Sequence, residues 1–234
     1  VPQSFRILVD EEVYGVIKGI LFDLDGVLLS TDQFHFRAWK ALADRLAIPF
    51  DRRQGDRCRG ISRMESLDIV LENSTRIYTP EEKLQFAEEK NHAYRALLQG
   101  LTPADVPEET VRVLTQLRMR GYQLALASGS KNAELILERT GLRSLLDGVV
   151  DGKDITHSKP DPEVFCKAAQ ALDLSPRDCV GVDDASAGVQ SIRAAGALAA
   201  AIGPAAQAGE GDWNLKSLSQ LLEQCLGMEA VPCR

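Results

Sequence analysis

The sequence predicts an α/β protein with a parallel sheet, crossover helices and a helical insertion after the first strand. Three short apolar runs each end in Asp or Ser, and segments with helical periodicity separate them. The block between the first two runs carries helical patterns only, which indicates a smaller second domain. We therefore expect a core domain of residues 1–33 and 102–234, and a helical cap domain of residues 34–101.

The three apolar runs have the composition of buried parallel strands. The first, KGILF at residues 18–22, leads into Asp-Leu-Asp-Gly. The second, QLALA at 123–127, leads into Ser-Gly-Ser, and the third, CVGV at 179–182, leads into Asp-Asp. Residues 198–202 are predicted to be the last strand. Because ligands gather at the carboxyl ends of parallel strands, the polar residues after these runs are candidate site residues.

The predicted core helices carry recognisable end signals. Acids in a first turn and bases in a last turn complement the helix dipole, glycine commonly ends a helix, and proline fits a first helical position. These signals predict helices at 107–120 (ended by Gly121), 132–140 (ended by Gly141), 161–171 (opening with Pro162) and 186–195 (ended by Gly196). An amphipathic pattern predicts a last helix at 214–226.

Three helices are predicted in the cap. Residues 33–46 have an amphipathic pattern, and residues 62–72 are a second candidate helix. The third helix begins at Thr79-Pro80-Glu81-Glu82, where a threonine cap, a proline and an acid three residues after the threonine form a capping box. We expect this helix to run to about Leu98.

Composition and charge exclude several classes of function. The 234 residues are 44% apolar and 26% charged, as in ordinary globular proteins, and the net charge of −7 argues against nucleic-acid binding. No apolar run approaches the roughly 20 residues of a membrane span, and the first residues do not resemble a signal peptide. Five cysteines without a CxxC pair indicate free thiols. We expect a cytoplasmic monomer with no nucleic-acid or membrane partner.

Asp23 and Asp25 form the first candidate catalytic pair. They lie two residues apart after the first strand, and Gly26 permits a bend that brings both to one site. One carboxylate can attack phosphorus while the other exchanges a proton with the oxygen opposite. An ordinary surface turn fits the same residues.

Two further motifs offer ligands for a phosphate group. Between the second strand and a helix lie Ser128, Ser130, Lys131 and Asn132, whose hydroxyls and N–H groups can cradle an anion. Lys159 is held near a helix start by prolines and can neutralise phosphate charge. A simple capping turn and an exposed loop lysine are the alternative interpretations.

Asp183 and Asp184 predict a cation site after the third strand. Adjacent carboxylates repel each other unless a cation compensates their charge. Oxygen ligands without Cys or His favour Mg²⁺. An exposed acidic turn is the alternative.

Taken together, these motifs resemble the haloacid dehalogenase superfamily of phosphotransferases, over about residues 18–203. The resemblance implies a Rossmann-like core with a helical cap inserted after the first motif. The stretches most similar to the β-phosphoglucomutase branch are residues 22–42, 59–63, 127–132, 158–165 and 181–196.

The resemblance implies roles for the core residues. Asp23 would be the nucleophile and Asp25 the general acid/base, while Ser128 and Lys159 would hold the transferring phosphoryl group. The implied ligands of Mg²⁺ are Asp23, the main-chain carbonyl of Asp25, Asp183 and Asp184.

It also implies roles in and near the cap. Arg63 would bind the distal phosphate of a hexose phosphate together with Ser130, Lys131 and Asn132. A hinge-and-cap relay would keep the general acid/base misplaced until the sugar phosphate closes the cap, and a further pair would contribute to closure. The relay residues are Thr31, His35 and Lys90, and the pair is Gly60 and Ser66. Without the resemblance, solvated or half-buried helix positions are the simpler interpretation.

The implied function is interconversion of β-D-glucose 1-phosphate and glucose 6-phosphate through β-glucose 1,6-bisphosphate. Two departures keep a sugar-phosphate phosphatase open as an alternative. Asp183-Asp184 stands where these mutases most often carry Glu-Asp, and Ser30 stands where an acidic residue is common. A non-catalytic sugar-phosphate sensor is a third alternative, against which the intact Asp23 and Asp25 argue.

Overall fold

The computed structural model describes residues 16–58 and 61–229. Within them, six parallel strands form one sheet in the order β3-β2-β1-β4-β5-β6. The three strands predicted to end in polar motifs are neighbours at its centre. The strands are β1 (Gly19–Phe22), β2 (Gln123–Ala127), β3 (Gly148–Val150), β4 (Cys179–Asp183), β5 (Leu198–Ala201) and β6 (Trp213–Asn214).

The central strands are buried on both faces, which explains their continuous apolar sequences. Every residue of β1, β4 and β5 is buried. Phe22 of β1 is level with Leu126 of β2 and with Val182 of β4. Asp23, the residue after Phe22, is therefore level with Asp183, the residue after Val182. This register brings the two acidic motifs to one edge of the sheet.

Four helices and no strand occupy the described part of the insertion between β1 and β2. Their apolar side chains form a separate hydrophobic cluster that includes Trp39, Leu67 and Phe86. The last helix also reaches the main core, because Tyr94 and Leu98 pack there. The boundaries predicted at residues 33/34 and 101/102 stay a prediction. The helices are α1 (Asp32–Arg45), α2 (Arg52–Arg57), α3 (Arg63–Leu71) and α4 (Pro80–Leu98).

The remaining helices cover both faces of the sheet, as in a doubly wound α/β fold. Apolar side chains of α5, α6 and α10 pack on one face, and those of α7 and α8 on the other. These helices are α5 (Glu108–Met119), α6 (Ala133–Thr140), α7 (Glu163–Gln170), α8 (Ser186–Ala195), α9 (Gly203–Gln207) and α10 (Leu218–Glu229).

Local end signals in the sequence correspond closely to the observed ends. Gly121, Gly141 and Gly196 follow α5, α6 and α8 with φ of +87°, +77° and +86°, the left-handed conformation that glycine adopts without strain. The capping box predicted at Thr79 is present, with Pro80 as the first residue of α4.

Several predicted elements need correction. Pro162 is the N-cap of α7 and not its first helical residue. The last helix begins at Leu218, four residues later than predicted, because Trp213–Asn214 pairs with β5 as a further strand. Strand β3 and helix α2 were not predicted, since three and six residues are too few to show a clear periodicity.

Two predictions about the whole chain can be compared with its described part. Cys58, Cys166 and Cys179 are free thiols, while Cys233 lies outside the described residues. No helix in the described ranges combines the length and apolar character that crossing a membrane requires.

Candidate active site

Asp23, Lys159 and Asp183 meet at the carboxyl edge of the central strands. The N–H group of Asp23 donates to the carbonyl of Val182 at 2.9 Å, which continues the ladder beyond β1. Lys159 Nζ donates to Asp23 Oδ1 and, at 2.7 Å, to Asp183 Oδ2. The three side chains are 14%, 16% and 3% exposed. The predicted lysine therefore bridges the two acidic motifs in a largely buried position.

The turn after β1 brings Asp25 and Asp184 to the same edge. Gly26 has φ +80°, and a Cβ atom there would lie 2.1 Å from Asp184 Oδ2, so only glycine fits. Asp25 Oδ1 accepts hydrogen bonds from the N–H of Thr31 at 2.7 Å and from its hydroxyl at 2.6 Å. We call Asp23, Asp25, Lys159, Asp183 and Asp184 the strand-end cluster.

The strand-end cluster holds more negative than positive charge. Burial raises the pKa of Asp23. The cation of Lys159 opposes this rise, and the carboxylate of Asp183 adds to it. Burial, with Asp183 and Asp25 nearby, raises the pKa of Asp184 to about 7. Burial alone would lower the pKa of Lys159, but the carboxylates of Asp183 and Asp23 hold it above its ordinary value. An excess of buried carboxylates of this kind favours binding of a cation.

A second acidic group lies on the exposed side of the same loop region. Ligand atoms of His157, Asp161 and Glu163 lie within 4.8 Å of one another, the one such group among the described residues. Glu163 Oε2 already accepts from the N–H groups of Thr156 and His157, and Glu163 Oε1 accepts from Lys167. These hydrogen bonds show that the group holds the loop before α7 and caps the start of that helix.

The loop from Ser128 to Asn132 joins β2 to α6 and leaves hydroxyl groups at the sheet edge. Ser128 Oγ accepts from the N–H of Ser130 at 3.2 Å, and Ser130 Oγ accepts from the N–H of Asn132 at 3.3 Å. Both hydroxyl hydrogens can still donate to a ligand. Ser128 and Asn132 are buried and Lys131 is exposed, so the loop can offer several donors to an anion.

An asparagine joins the cap arginine to this core loop. Asn91 Oδ1 accepts from Arg63 Nη2 and from Asn132 Nδ2, each at 3.1 Å. Arg63 Nη1 also donates to Glu88 Oε1 at 2.9 Å, and Arg95 Nη1 donates to Asn132 Oδ1 at 3.1 Å. We call Arg63, Asn91, Arg95 and Asn132 the cap network.

Thr31, His35 and Lys90 come together where the insertion meets the core. Lys90 Nζ lies 2.9 Å from His35 Nδ1 and is buried against the rings of Trp39 and Tyr94. Burial and the nearby cation of Lys90 lower the pKa of His35 to about 3, and burial with Arg63 nearby lowers the pKa of Lys90 to about 7. His35 is therefore neutral at pH 7, and its Nδ1 can accept a hydrogen bond from Lys90.

One predicted site residue, Ser66, is not brought to these groups. Ser66 Oγ donates to the carbonyl of Cys58 at 3.3 Å and so secures the cap chain before residues 59 and 60. Gly60 lies outside the described residues. Asn91 and Tyr94, which contact site residues, were not predicted. The available signal for Tyr94 was its spacing, because a residue four positions after Lys90 lies on the same helix face; Asn91, one position after Lys90, had no such signal.

Residues 17–196 match the family model described as haloacid dehalogenase-like hydrolase. The chain belongs to the haloacid dehalogenase-like hydrolase family. Its strand-end acids and lysine occupy the motifs on which the resemblance was based, and its fold is the parallel α/β sheet with an inserted helical cap.

Within the haloacid dehalogenase-like hydrolases, the chain is similar to both mutases and phosphatases. It is 41% identical to the β-phosphoglucomutase of Bacillus subtilis over 80% of this chain and 84% of that protein. It is 30% identical to a fructose-1-phosphate phosphatase of Escherichia coli over 79% of this chain and 95% of that protein. A solved β-phosphoglucomutase structure from Clostridium difficile has a TM-score of 0.81 and 32% identity, covering 93% of this chain and all of that one.

Proposed function

We propose that this protein is a β-phosphoglucomutase that interconverts β-D-glucose 1-phosphate and glucose 6-phosphate. The observation that carries the proposal is the shared acceptor Asn91 Oδ1, which links Arg63 of the cap to Asn132 of the core. A mutase needs a second phosphate site, because its sugar phosphate must bind in two orientations. A phosphatase needs only the site of transfer. The similarity to the mutase of Bacillus subtilis supports the same choice.

The strand-end cluster would perform the transfer itself. An oxygen of the Asp23 carboxylate attacks phosphorus, and the bond from phosphorus to the sugar oxygen breaks. Asp25 gives that sugar oxygen a proton, and in the reverse direction takes a proton from the attacking hydroxyl. Lys159 neutralises charge beside Asp23, and the hydroxyl of Ser128 donates to the phosphoryl oxygens.

The donor set at the strand ends fits Mg²⁺. Asp23, the main-chain carbonyl of Asp25, Asp183 and Asp184 would supply oxygen ligands only, which this ion prefers. Burial, together with the neighbouring carboxylates, raises the pKa values of Asp23 and Asp184, and a divalent cation would compensate this buried negative charge. When bound, Mg²⁺ supplies charge neutralisation for the phosphoryl oxygens.

The cap network would bind the phosphate that is not reacting. The planar guanidinium of Arg63 can donate two parallel hydrogen bonds to a phosphate. Ser130, Lys131 and Asn132 would complete this site from the core loop. After β-glucose 1,6-bisphosphate has formed, it would leave the site at Asp23 and rebind with its two phosphates exchanged.

Closure of the cap would decide when Asp25 acts. Thr31 holds Asp25 Oδ1 with two donors, and the neighbouring pair of His35 and Lys90 lies between α1 and α4. Binding of a sugar phosphate would move these groups together, with Gly60 and Ser66 contributing in the cap. Water alone would not produce this closure, so Asp25 would stay misplaced and phosphorylated Asp23 would be protected from hydrolysis.

A sugar-phosphate phosphatase is the second candidate. The Asp183-Asp184 pair and the 30% identity to the fructose-1-phosphate phosphatase favour it. In that case water would take the phosphoryl group from Asp23 and the cap network would only recognise the sugar phosphate.

Location in the cytoplasm and a monomeric state stay predictions from the sequence.

³¹P NMR distinguishes the two candidates directly. The protein is incubated with Mg²⁺, β-glucose 1-phosphate and a trace of β-glucose 1,6-bisphosphate. We expect glucose 6-phosphate to accumulate with little inorganic phosphate. Inorganic phosphate as the main product would identify a phosphatase and would contradict the mutase proposal.

A further inference from the structure

A buried tyrosine of the cap lies within hydrogen-bond distance of the threonine that holds Asp25. Tyr94 Oη is 2.8 Å from Thr31 Oγ1, and both residues are at most 1% exposed. Thr31 Oγ1 in turn lies 2.6 Å from Asp25 Oδ1. Tyr94 belongs to α4, whereas Thr31 precedes α1 at the end of the core segment. One row of hydrogen bonds therefore connects the last cap helix to the strand-end cluster.

The direction of these hydrogen bonds follows from their chemistry. A carboxylate oxygen only accepts, so the single hydroxyl hydrogen of Thr31 is directed to Asp25 Oδ1. Thr31 Oγ1 is then left as an acceptor, and the phenolic hydrogen of Tyr94 donates to it. Because neither hydroxyl is exposed to water, Tyr94 fixes the rotation of the Thr31 hydroxyl.

The ring of Tyr94 also contacts the other two relay residues. Its centroid lies 4.0 Å from that of His35 and 4.8 Å from Lys90 Nζ. These contacts use the aromatic ring and not the hydroxyl. The hydroxyl of Tyr94 can therefore be removed while the packing against His35 and Lys90 is retained.

We propose that Tyr94 is a positioning residue that, through Thr31, keeps the Asp25 carboxylate from activating water. This inference rests on the proposed phosphorylation of Asp23 and extends it. In hydrolysis, a water oxygen bonds to phosphorus as the bond from phosphorus to Asp23 breaks. The water proton passes to Asp25 and then to solvent, leaving inorganic phosphate and the Asp23 carboxylate. An Asp25 oxygen that already accepts two hydrogen bonds is a poorer base for this step.

The test uses acetyl phosphate as the phosphoryl donor, in the presence of Mg²⁺ and without sugar. Acetate leaves without needing a proton, so the release of inorganic phosphate reports hydrolysis of phosphorylated Asp23 once spontaneous hydrolysis is subtracted. We expect Tyr94→Phe to accelerate this release about three- to tenfold, the effect of one buried hydrogen bond. An unchanged or slower release would overturn the inference.

Tyr78→Phe is the matched control. Tyr78 is also a cap tyrosine, and its hydroxyl is 3.4 Å from Ser74 Oγ, with the ring packed on Phe86. We expect the release of inorganic phosphate by Tyr78→Phe to stay within about twofold of the wild type, because the hydroxyl of Tyr78 is not hydrogen-bonded to Thr31 or Asp25. An equal acceleration in both variants would mean that cap stability, and not Thr31, carries the effect.

A second variant tests the route through Thr31. Thr31→Val removes the hydroxyl from the middle of the row and should accelerate release at least as much as Tyr94→Phe. Adding Tyr94→Phe to Thr31→Val should change nothing more, since the two act through one bond. Additive effects, or no acceleration by Thr31→Val, would overturn the inference. The assay contains no sugar, so it is independent of the ratio of glucose 6-phosphate to inorganic phosphate that tests the proposed function.

Discussion

The strand-end cluster and the cap network are held in place by different means. Asp23 directly follows β1 and Asp183 is the last residue of the neighbouring β4, and Lys159 joins them from a loop. Arg63 and Asn91 lie on separate helices and meet the core only through side-chain hydrogen bonds. The sheet therefore sets the positions of Asp23 and Asp183, whereas the cap network depends on where α3 and α4 lie.

This difference suggests a division of labour. Groups fixed by strand ends suit the transfer of a phosphoryl group, which requires fixed positions. Groups on helices that can move suit the choice of acceptor, because their arrangement can depend on whether a sugar phosphate is bound. A change in the strand-end cluster should then affect every phosphoryl donor, and a change in the cap network only sugar phosphates.

Asp23→Ala should have the largest effect. Loss of the nucleophile is expected to lower turnover of both β-glucose 1-phosphate and an aryl phosphate by about 10⁴-fold or more. The rates can be measured by a coupled assay for glucose 6-phosphate and by release of the aryl alcohol. Substantial activity towards either compound would contradict the assignment of Asp23 as nucleophile.

Arg63→Ala should separate the two regions. We expect turnover of β-glucose 1-phosphate, measured as kcat/KM, to fall about 10²-fold, because a charged hydrogen-bonding pair is lost. Hydrolysis of an aryl phosphate, which has no second phosphate, should change little. Arg45→Ala is the control, since Arg45 is another cap arginine that pairs with an acid, Glu89. Equal losses with both compounds would remove Arg63 from the distal-phosphate site.

Asn91→Ala should have a smaller effect of the same kind. Arg63 keeps its bond to Glu88 in this variant but loses its link to Asn132. Loss of uncharged hydrogen bonds should lower kcat/KM for β-glucose 1-phosphate about three- to tenfold and leave aryl phosphate hydrolysis unchanged. A variant that equals the wild type with both compounds would show that Asn91 does not connect the two regions.

Thr79→Ala should affect the stability of the cap and not the chemistry. Thr79 Oγ1 accepts from the N–H of Glu82 at the start of α4, so its loss should destabilise the protein by about 1 kcal/mol. Urea unfolding measures this change, and aryl phosphate hydrolysis below the unfolding transition should match the wild type. A loss of hydrolysis under those conditions would mean that the cap supports the strand-end cluster directly.

The strand-end cluster could be predicted from the sequence better than the contacts of the cap. The strand-end acids and the helix stop at Gly141 are marked by local sequence signals. The motif around Lys159 predicted that it neutralises phosphate charge, but no local signal places it beside Asp23, from which it is distant in sequence. Strand β3 is too short to show a period, and Tyr94 has no motif of its own. Only the packing of α4 against the segment before α1 brings Tyr94 to Thr31.

The central claim is that phosphorylated Asp23 transfers its phosphoryl group to a sugar phosphate in preference to water. It can be tested by labelling the protein with ³²P from acetyl phosphate, removing the donor, and adding β-glucose 1-phosphate with Mg²⁺. We predict that most of the label appears in sugar phosphates, faster than inorganic phosphate forms when the sugar is omitted. Label released as inorganic phosphate at the same rate with and without the sugar phosphate would contradict the account.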